Sequence, residues 1–253
     1  FGWELPVFAH CSLLLGSDRQ KLSKRHGATS VHQYAEEGFL PETLNNFLSL
    51  LGWSSAEHKE IMNMDELIRL FDLDRLNKAP CVFDTTKLRW MNQQYIKSLP
   101  LSVITERAIP FLEKDDIAAR KLDRAWLEKA FDVIRSGLEV LTDSGKFMQI
   151  FLNDEFVLDA EAQAIKADPA FASVAATLKA ELAAHVSANG DAITDTQFTA
   201  IQDAVKTKSG AKGKGLFMPM RVTLTGHIHG PELKLIVPMI GAKRALARVE
   251  RSL

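Results

Sequence analysis

Apolar residues recur along most of the chain with the three- and four-residue spacing of amphipathic helices. After Pro41, one such helix face consists of Leu44, Phe47, Leu48 and Leu51. The same spacing recurs over 88–95, 126–134, 171–186, 198–205 and 245–249. Almost no stretch alternates apolar and polar residues as a half-buried strand does. The pattern therefore predicts a mainly α protein with about ten helices.

Polar residues and glycines predict where several of these helices begin and end. Thr194 and Gln197 have the spacing of a capping box, and Asp168 before Pro169 is typical of a helix start. Gly190 suits the position just after a helix. One helix is therefore predicted from Pro169 to about Gly190, and a second just after Thr194.

One apolar run departs from the helical pattern. Residues 5–15 are mostly apolar and carry Pro6 near their start, so a buried strand or extended segment fits them better than a helix. A polar, basic loop follows over residues 16–27. The predicted order at this end of the chain is strand, loop, helix.

The composition is that of an ordinary soluble globular protein. The 253 residues suggest one large domain or two small ones, and 46% are hydrophobic and 25% charged. Two cysteines, Cys11 and Cys81, are too few for a disulfide framework or a cysteine zinc site. Their scarcity favours a reducing, cytoplasmic compartment. No apolar run approaches the ~20 residues that span a bilayer, so no membrane partner is predicted. Because the chain begins with Phe1 and not methionine, we expect a piece of a longer polypeptide.

The formal net charge of −1 hides basic segments near the C-terminus. Residues 206–221 contain no acidic residue and five basic ones: Lys206, Lys208, Lys212, Lys214 and Arg221. The predicted last helix adds Lys243, Arg244, Arg248 and Arg251. A local basic surface is enough to bind nucleic acid, whatever the charge of the whole chain.

The pentapeptide Lys21-Leu22-Ser23-Lys24-Arg25 is the strongest chemical signal. It places three cations and one hydroxyl within five residues, and such a loop can hold polyphosphate by charge-assisted hydrogen bonds. Taken alone, such a pentapeptide is more often an ordinary solvated turn. Its context, an apolar run before it and capped helices after it, favours the first interpretation.

This pentapeptide resembles the second signature of class I aminoacyl-tRNA synthetases, and the wider sequence is similar to bacterial glutamyl-tRNA synthetases. The matching segments are 18–29, 38–42, 50–54, 82–84, 87–92, 217–221, 224–226 and 230–233. The resemblance is dense to about residue 97 and again from Lys212 to Leu246, and thin over 100–205. It implies the end of a class I catalytic domain over 1–29, a helical stem-contact domain over 30–99 and an α-helical anticodon-binding domain over 100–253. The last would comprise subdomains of about 100–155 and 156–253.

The resemblance implies an ATP-dependent ligase that makes glutamyl-adenylate and passes the glutamyl group to tRNA(Glu). Lys24 would bind ATP and neutralise charge on the leaving pyrophosphate, with Mg²⁺ as companion, while Lys21, Ser23 and Arg25 would support the catalytic loop. The first signature of the family and its glutamate pocket are absent from this sequence. The tetrapeptide His227-Ile228-His229-Gly230 has a scrambled order relative to that signature. A metal site there is not expected either, because no third ligand lies nearby in the sequence. We therefore expect the chain alone to make no adenylate.

For the anticodon, the resemblance implies contacts from Arg221, Pro231, Leu233 and, through a poorer match, Arg135. The alternatives are a surface ion pair for Arg221, and a helix start and core contact for Pro231 and Leu233. Contacts to the tRNA backbone are expected from Lys208, Lys212 and Lys214, unless these lie on a merely solvated loop.

Within 30–97, phosphate contacts are expected from Lys78, Lys87 and Arg89, while Trp53 and Trp90 are predicted core residues. A monomer is implied. Two alternatives remain: a stand-alone tRNA-binding module without catalysis, and a helical interaction protein without a nucleic-acid partner.

Overall fold

The structure, a computed structural model, describes residues 2–23 and 30–253. In these ranges thirteen α-helices account for most of the chain, which confirms a mainly α protein. They are α1 Val31–Glu36, α2 Pro41–Leu50, α3 Met64–Leu70, α4 Thr85–Ser98, α5 Leu101–Lys114, α6 Arg124–Ile134, α7 Ser144–Leu152, α8 Ala160–Lys166, α9 Pro169–Asn189, α10 Asp195–Ser209, α11 Lys214–Thr225, α12 Leu233–Ile240 and α13 Ala242–Ser252. Short 3₁₀ turns occupy Leu73–Arg75, Ala119–Lys121, Arg135–Gly137 and Leu141–Asp143.

The predicted boundaries of α9 and α10 are confirmed. The Asp168 side chain accepts a hydrogen bond from the Ala170 N–H at 2.8 Å, and Pro169 is the first residue of α9. Gly190, with φ of 74°, ends that helix. Thr194 begins α10 as one half of a complete capping box with Gln197.

The prediction of a buried strand over residues 5–15 is right only for its last two residues. Strand β1, Leu14–Leu15, pairs in parallel with β2, Cys81–Val82. Residues 2–13 form no strand, and side chains such as those of Leu5 and Phe8 are exposed. A strand requires a partner for its backbone groups, and in the described part of the chain β2 offers only two residues.

The chain folds as two compact units. The first consists of Phe1–Asp116 and Leu138–Ser144, and the second of Ile117–Gly137 and Gly145–Leu253. The core of the first unit includes Phe39, Leu44, Phe47, Leu51, Phe83, Leu88, Met91 and Val140. In the second unit, α9 packs against α10, α11 and α13. The division predicted at residues 29 and 99 stays a prediction.

The segment 138–144 belongs to the first unit through specific backbone contacts. The Leu141 N–H donates to the Gly38 carbonyl at 2.9 Å, and the Asn92 side chain donates to the Glu139 carbonyl at 2.7 Å. Gly38 has φ of 86°, and a Cβ there would lie 2.7 Å from the Leu141 nitrogen. Only glycine adopts this positive φ without strain and also leaves room for the Leu141 backbone.

Replacing Gly38 by alanine is therefore expected to lower the free energy of unfolding by at least about 2 kcal/mol, because the new Cβ adds backbone strain and pushes segment 138–144 away. Gly52→Ala in the same unit is the control, since a Cβ at Gly52 meets nothing within 4 Å. Urea denaturation of both variants measures the difference. Similar stability of the two would contradict the expectation.

Candidate nucleic-acid interface

The signature pentapeptide starts where the chain folds back on β1. The Gly16 N–H donates to the Gln20 carbonyl at 2.8 Å, and the Leu22 N–H donates to the Leu14 carbonyl at 2.8 Å. Lys21 is exposed, whereas Leu22 packs against the core of the first unit. Ser23 is exposed at the edge of the described range. Lys24 and Arg25 lie outside the described residues, so their predicted roles stay predictions.

The second unit contains a cavity of about 510 Å³, a size common among ligand clefts. Its lining comes from the end of α6 and the turn after it, from α7, from the start of α8 and from the loop between α11 and α12. The lining residues are Ile134, Ser136, Gly137, Lys146, Phe147, Ile150, Asp159, Glu161, His227, Ile228, His229, Gly230 and Pro231. We call Lys146, Phe147 and Ile150 the α7 wall, and residues 227–231 the loop wall.

The loop wall starts from a glycine that the fold requires. Gly226 follows α11 with φ of 74°, and its N–H donates to the Val222 carbonyl at 2.9 Å. A Cβ at Gly226 would lie 2.3 Å from the Cβ of Phe156. The chain therefore leaves α11 tightly against Phe156 before it turns into the loop wall.

Arg221 supports the other end of the loop wall. Its Nη1 donates to the Pro231 carbonyl at 2.9 Å, and a Cβ at Gly230 would lie 3.4 Å from the same nitrogen. Burial lowers the pKa of Arg221 from its usual value, and the charge of Glu232 opposes that shift. Within the described ranges Arg221 makes no ion pair, so the surface-ion-pair alternative is wrong. Its Nε and Nη2 donors have no hydrogen-bond partner there.

The other predicted anticodon residues differ in their surroundings. Pro231 lines the cavity. Leu233 is the first residue of α12 and is 4% exposed, so its side chain is a core contact, as the alternative held. Arg135 follows α6 and pairs with Asp132 at 3.0 Å; its chain neighbours Ile134 and Ser136 line the cavity, but Arg135 does not.

The predicted backbone-binding lysines also divide into two kinds. Lys208 is ion-paired with Glu181. Lys212 and Lys214 are exposed and make no ion pair within the described part of the chain. They lie next to Gly213, which precedes α11 with φ of 54°. These two lysines, together with the exposed Lys206, which also makes no ion pair in the described residues, are thus available cations of the basic segment.

The α7 wall is not predictable from the sequence. Lys146 and Phe147 lie in the region where the resemblance is thin, and His227 and His229 were considered only as a misplaced signature or metal motif. Phe147 packs against Gly137, where a Cβ would lie 2.8 Å from its ring. No spacing in the sequence could have grouped these residues, because the segments that meet are about 80 positions apart.

Two arginines of α13, Arg244 and Arg248, bind the end of α7. Arg248 is 1% exposed, and its Nε donates to the Asp154 carboxylate at 3.0 Å. Arg244 donates to the same carboxylate and to the carbonyls of Phe151 and Leu152. The last carbonyls of a helix have no partner within it, and these guanidinium groups supply partners at the end of α7. The prediction of surface exposure is therefore wrong for Arg248.

The carboxylate of Asp154 links stability to pH. Burial raises its pKa, but hydrogen bonds from Arg244 and Arg248 outweigh burial, and the net pKa is lowered. A lowered pKa means that the stabilising effect is present above the unfolded-state value near 3.9 and is lost as pH falls through the folded-state value. We therefore expect the stability difference between the unsubstituted chain and Asp154→Asn to shrink below about pH 4.

Urea denaturation between pH 7 and pH 3 measures this difference. The exposed Asp203 is the control, since Asp203→Asn is expected to leave the pH profile unchanged. A constant offset between the unsubstituted chain and Asp154→Asn at every pH would contradict the expectation.

In the first unit, two predicted phosphate partners are already paired. Lys87 contacts Glu60 at 2.6 Å, and Arg89 contacts Glu139 at 3.4 Å. Trp53 is 3% exposed and confirmed as a core residue. Trp90 is 43% exposed, so its prediction as a core residue is wrong. Helix α4 turns it away from the buried face that carries Leu88 and Met91.

Across residues 2–23 and 30–253, no helix combines the length and apolarity needed to cross a membrane. The same residues contain no group of three or more His, Cys, Asp or Glu side chains arranged to hold a metal ion.

Two family models match the chain. One, described as the class I (E and Q) tRNA synthetase catalytic domain, matches residues 1–90, and one described as an anticodon binding domain matches residues 103–253. Together they define the class as class I tRNA synthetases. The chain belongs to the family of this anticodon binding domain, whose model covers more than half of it, and its first 90 residues match the E and Q catalytic domain of that class.

The similar proteins agree with this assignment and confirm the resemblance. A glutamate–tRNA ligase of Desulforamulus reducens is 40% identical over 258 residues, and one of Sulfurihydrogenibium sp. is 41% identical over 254 residues. Each alignment covers 100% of this chain and 52% of the relative. The chain thus spans about half the length of the curated relatives it matches.

A solved structure shows the same fold. The crystal structure of a glutamate tRNA ligase from Elizabethkingia meningosepticum, in complex with its amino acid, superposes with a TM-score of 0.82 at 26% identity. The superposition covers 99% of this chain and 52% of that one.

Proposed function

We propose that this chain is the C-terminal part of a glutamyl-tRNA synthetase, which joins glutamate to tRNA(Glu) at the expense of ATP, and that its second unit recognises the anticodon. The observation that carries the proposal is the cavity whose loop wall is held by Arg221. All its lining residues fall within the segment matched by the anticodon binding domain model. A cytoplasmic monomer with the three predicted domains is the corresponding expectation.

The chemistry of the cavity favours an unstacked base over a phosphate. Its lining includes one lysine, two carboxylates and two histidines, so it offers no concentration of positive charge. Phe147, Ile228 and Pro231 supply apolar surface against which a flat ring packs. Arg221 retains unpaired donors beside the loop wall, suited to the acceptor groups on a base edge. Lys212 and Lys214 supply charge for the sugar–phosphate backbone.

In the catalytic step, we assign Lys24 to ATP and to the charge of the leaving pyrophosphate, with Lys21, Ser23 and Arg25 supporting the loop. Mg²⁺ would accompany ATP, but the described residues provide no cluster of three metal-binding side chains, and no ligand is assigned to it in this chain. The exposed position of Lys21 beside β1 agrees with a loop that faces a nucleotide.

Because this sequence lacks the first signature and the glutamate pocket, the chain alone is expected to give no ATP–pyrophosphate exchange above background. Exchange is measured with glutamate, ATP and tRNA(Glu), beside a complete glutamyl-tRNA synthetase as positive control. Exchange that Lys24→Ala abolishes would contradict this expectation.

Anticodon recognition is tested by binding of the chain to tRNA(Glu) and to the same tRNA with one anticodon base changed, at two salt concentrations. We expect the changed base to weaken binding by at least about 1 kcal/mol, and higher salt to weaken both complexes. Equal and weak binding of both tRNAs would contradict the proposal.

A further inference from the structure

Arg248 is the largest fully buried side chain in the described part of the chain, and its guanidinium group is almost fully hydrogen-bonded. It donates to the Asp154 carboxylate and to three main-chain carbonyls. These are Ile150 at 2.9 Å and Leu224 at 3.0 Å, both from Nη1, and Asn153 at 2.6 Å, from Nη2. Four of the five donors of the group are thus occupied.

The two carbonyls that Nη1 contacts belong to two different helices, α7 and α11. Ile150 is part of the α7 wall. Leu224 lies near the end of α11, two residues before Gly226, where the chain turns into the loop wall. A single nitrogen therefore connects the α7 wall to the origin of the loop wall.

A second contact of Arg248 holds Gly226, the start of the loop wall, in place. The guanidinium carbon of Arg248 lies 4.9 Å from the centroid of the Phe156 ring. Phe156 in turn packs directly against Gly226, with no space for a Cβ between them. The position of Gly226 is thus set both through Leu224 and through Phe156.

We propose that Arg248 is a positioning residue that fixes the separation of the α7 wall and the loop wall, and thereby the accuracy with which the cavity distinguishes one base from another. This inference rests on the proposed anticodon function. Arg248 lines no part of the cavity and acts only through the two walls. Nη1 contacts both carbonyls while Nε and Nη2 hold Asp154 and Asn153. A lysine has one nitrogen and no planar fork, so it cannot make all four contacts from one position.

Arg244 is a matched control on the same helix. It contacts the same carboxylate at 3.0 Å and caps the end of α7 through Phe151 and Leu152 at 2.8 and 3.1 Å. In the described structure it makes no hydrogen bond or ion pair with α11. Arg244→Lys therefore weakens one wall, while Arg248→Lys weakens the link between both.

The experiment compares the 253-residue chain with Arg248→Lys and Arg244→Lys, at a temperature where circular dichroism shows all three folded. The measured quantity is the ratio of dissociation constants for the anticodon-changed and unchanged tRNA(Glu). Arg248→Lys is expected to lower this ratio by about fivefold, and Arg244→Lys is expected to leave it nearly unchanged. A fivefold change is within the range of effects that residues remote from a ligand have on its binding. Hydrogen exchange without tRNA should rise in peptides 145–153 and 224–231 for Arg248→Lys, and only in the first for Arg244→Lys.

Equal ratios for the two variants, or unchanged exchange over 224–231 in Arg248→Lys, would overturn the inference. If Arg248→Lys does not fold, Phe156→Leu weakens the same link from the loop side and is expected to lower the ratio in the same direction. An unchanged ratio in that variant would also overturn it. Equal binding of both tRNAs by the unsubstituted chain is a distinguishable result, because it contradicts the anticodon function itself and the inference falls with it.

Discussion

Arg248→Met is expected to lower the free energy of unfolding by about 3–5 kcal/mol, the cost of removing one partner from a buried ionic group. Methionine fills much of the same volume but donates no hydrogen bond, so the carbonyls of Ile150, Asn153 and Leu224 lose their partner. Urea denaturation followed by circular dichroism measures the loss.

Arg251→Met is the control for that experiment. Arg251 lies on the same helix and donates to the Asp154 carbonyl at 2.9 Å, but it is exposed. Its replacement is expected to cost no more than about 0.5 kcal/mol. A loss below about 1 kcal/mol for Arg248→Met would mean that the carbonyls find other partners or water.

Arg221→Ala is expected to weaken binding of tRNA(Glu) by about 1–3 kcal/mol, and to weaken binding of the anticodon-changed tRNA much less. The substitution removes the donors beside the cavity and releases the Pro231 carbonyl from Nη1. Arg221→Lys is expected to restore little of the affinity, because lysine lacks the planar fork. Direct titration of each tRNA measures both affinities.

Lys212→Ala provides the contrasting control. Removing an exposed lysine that contacts phosphate is expected to weaken both complexes alike. It is also expected to reduce the slope of log K against log salt concentration by about one. If Arg221→Ala weakened both tRNAs equally, Arg221 would contribute only charge, and direct base recognition by Arg221 would be excluded.

Helices with a regular apolar face and local caps could be predicted from the sequence. Helix α9 combines buried Phe171, Val174 and Leu178 with the Asp168 cap and Gly190. Helices α5 and α11 were not predicted, and each contains an internal proline: Pro110 and Pro219. A proline argues against a helix locally, but packing of both flanking turns overrides that preference here.

The environment of Arg248 could not be predicted, because arginine is rarely buried and its partners are distant in sequence. Ile150 precedes it by 98 residues. The cavity could not be predicted for the same reason, since its lining comes from four separate segments of the chain. The signature pentapeptide, by contrast, was recognisable because its residues are contiguous.

The return of residues 138–144 to the first unit has a consequence for synthesis on the ribosome. Thr142 donates to the carbonyl of Glu37, 105 residues earlier, so the first unit cannot complete its contacts until this segment has emerged. By then α6 has also emerged, but Met239 has not yet been synthesised. Its carbonyl accepts the hydrogen bond from Trp126 Nε1 at 3.4 Å in the folded chain. The contacts between α6 and α12 therefore form only after the first unit has closed. During this interval the incomplete second unit is open to chaperones or misfolding.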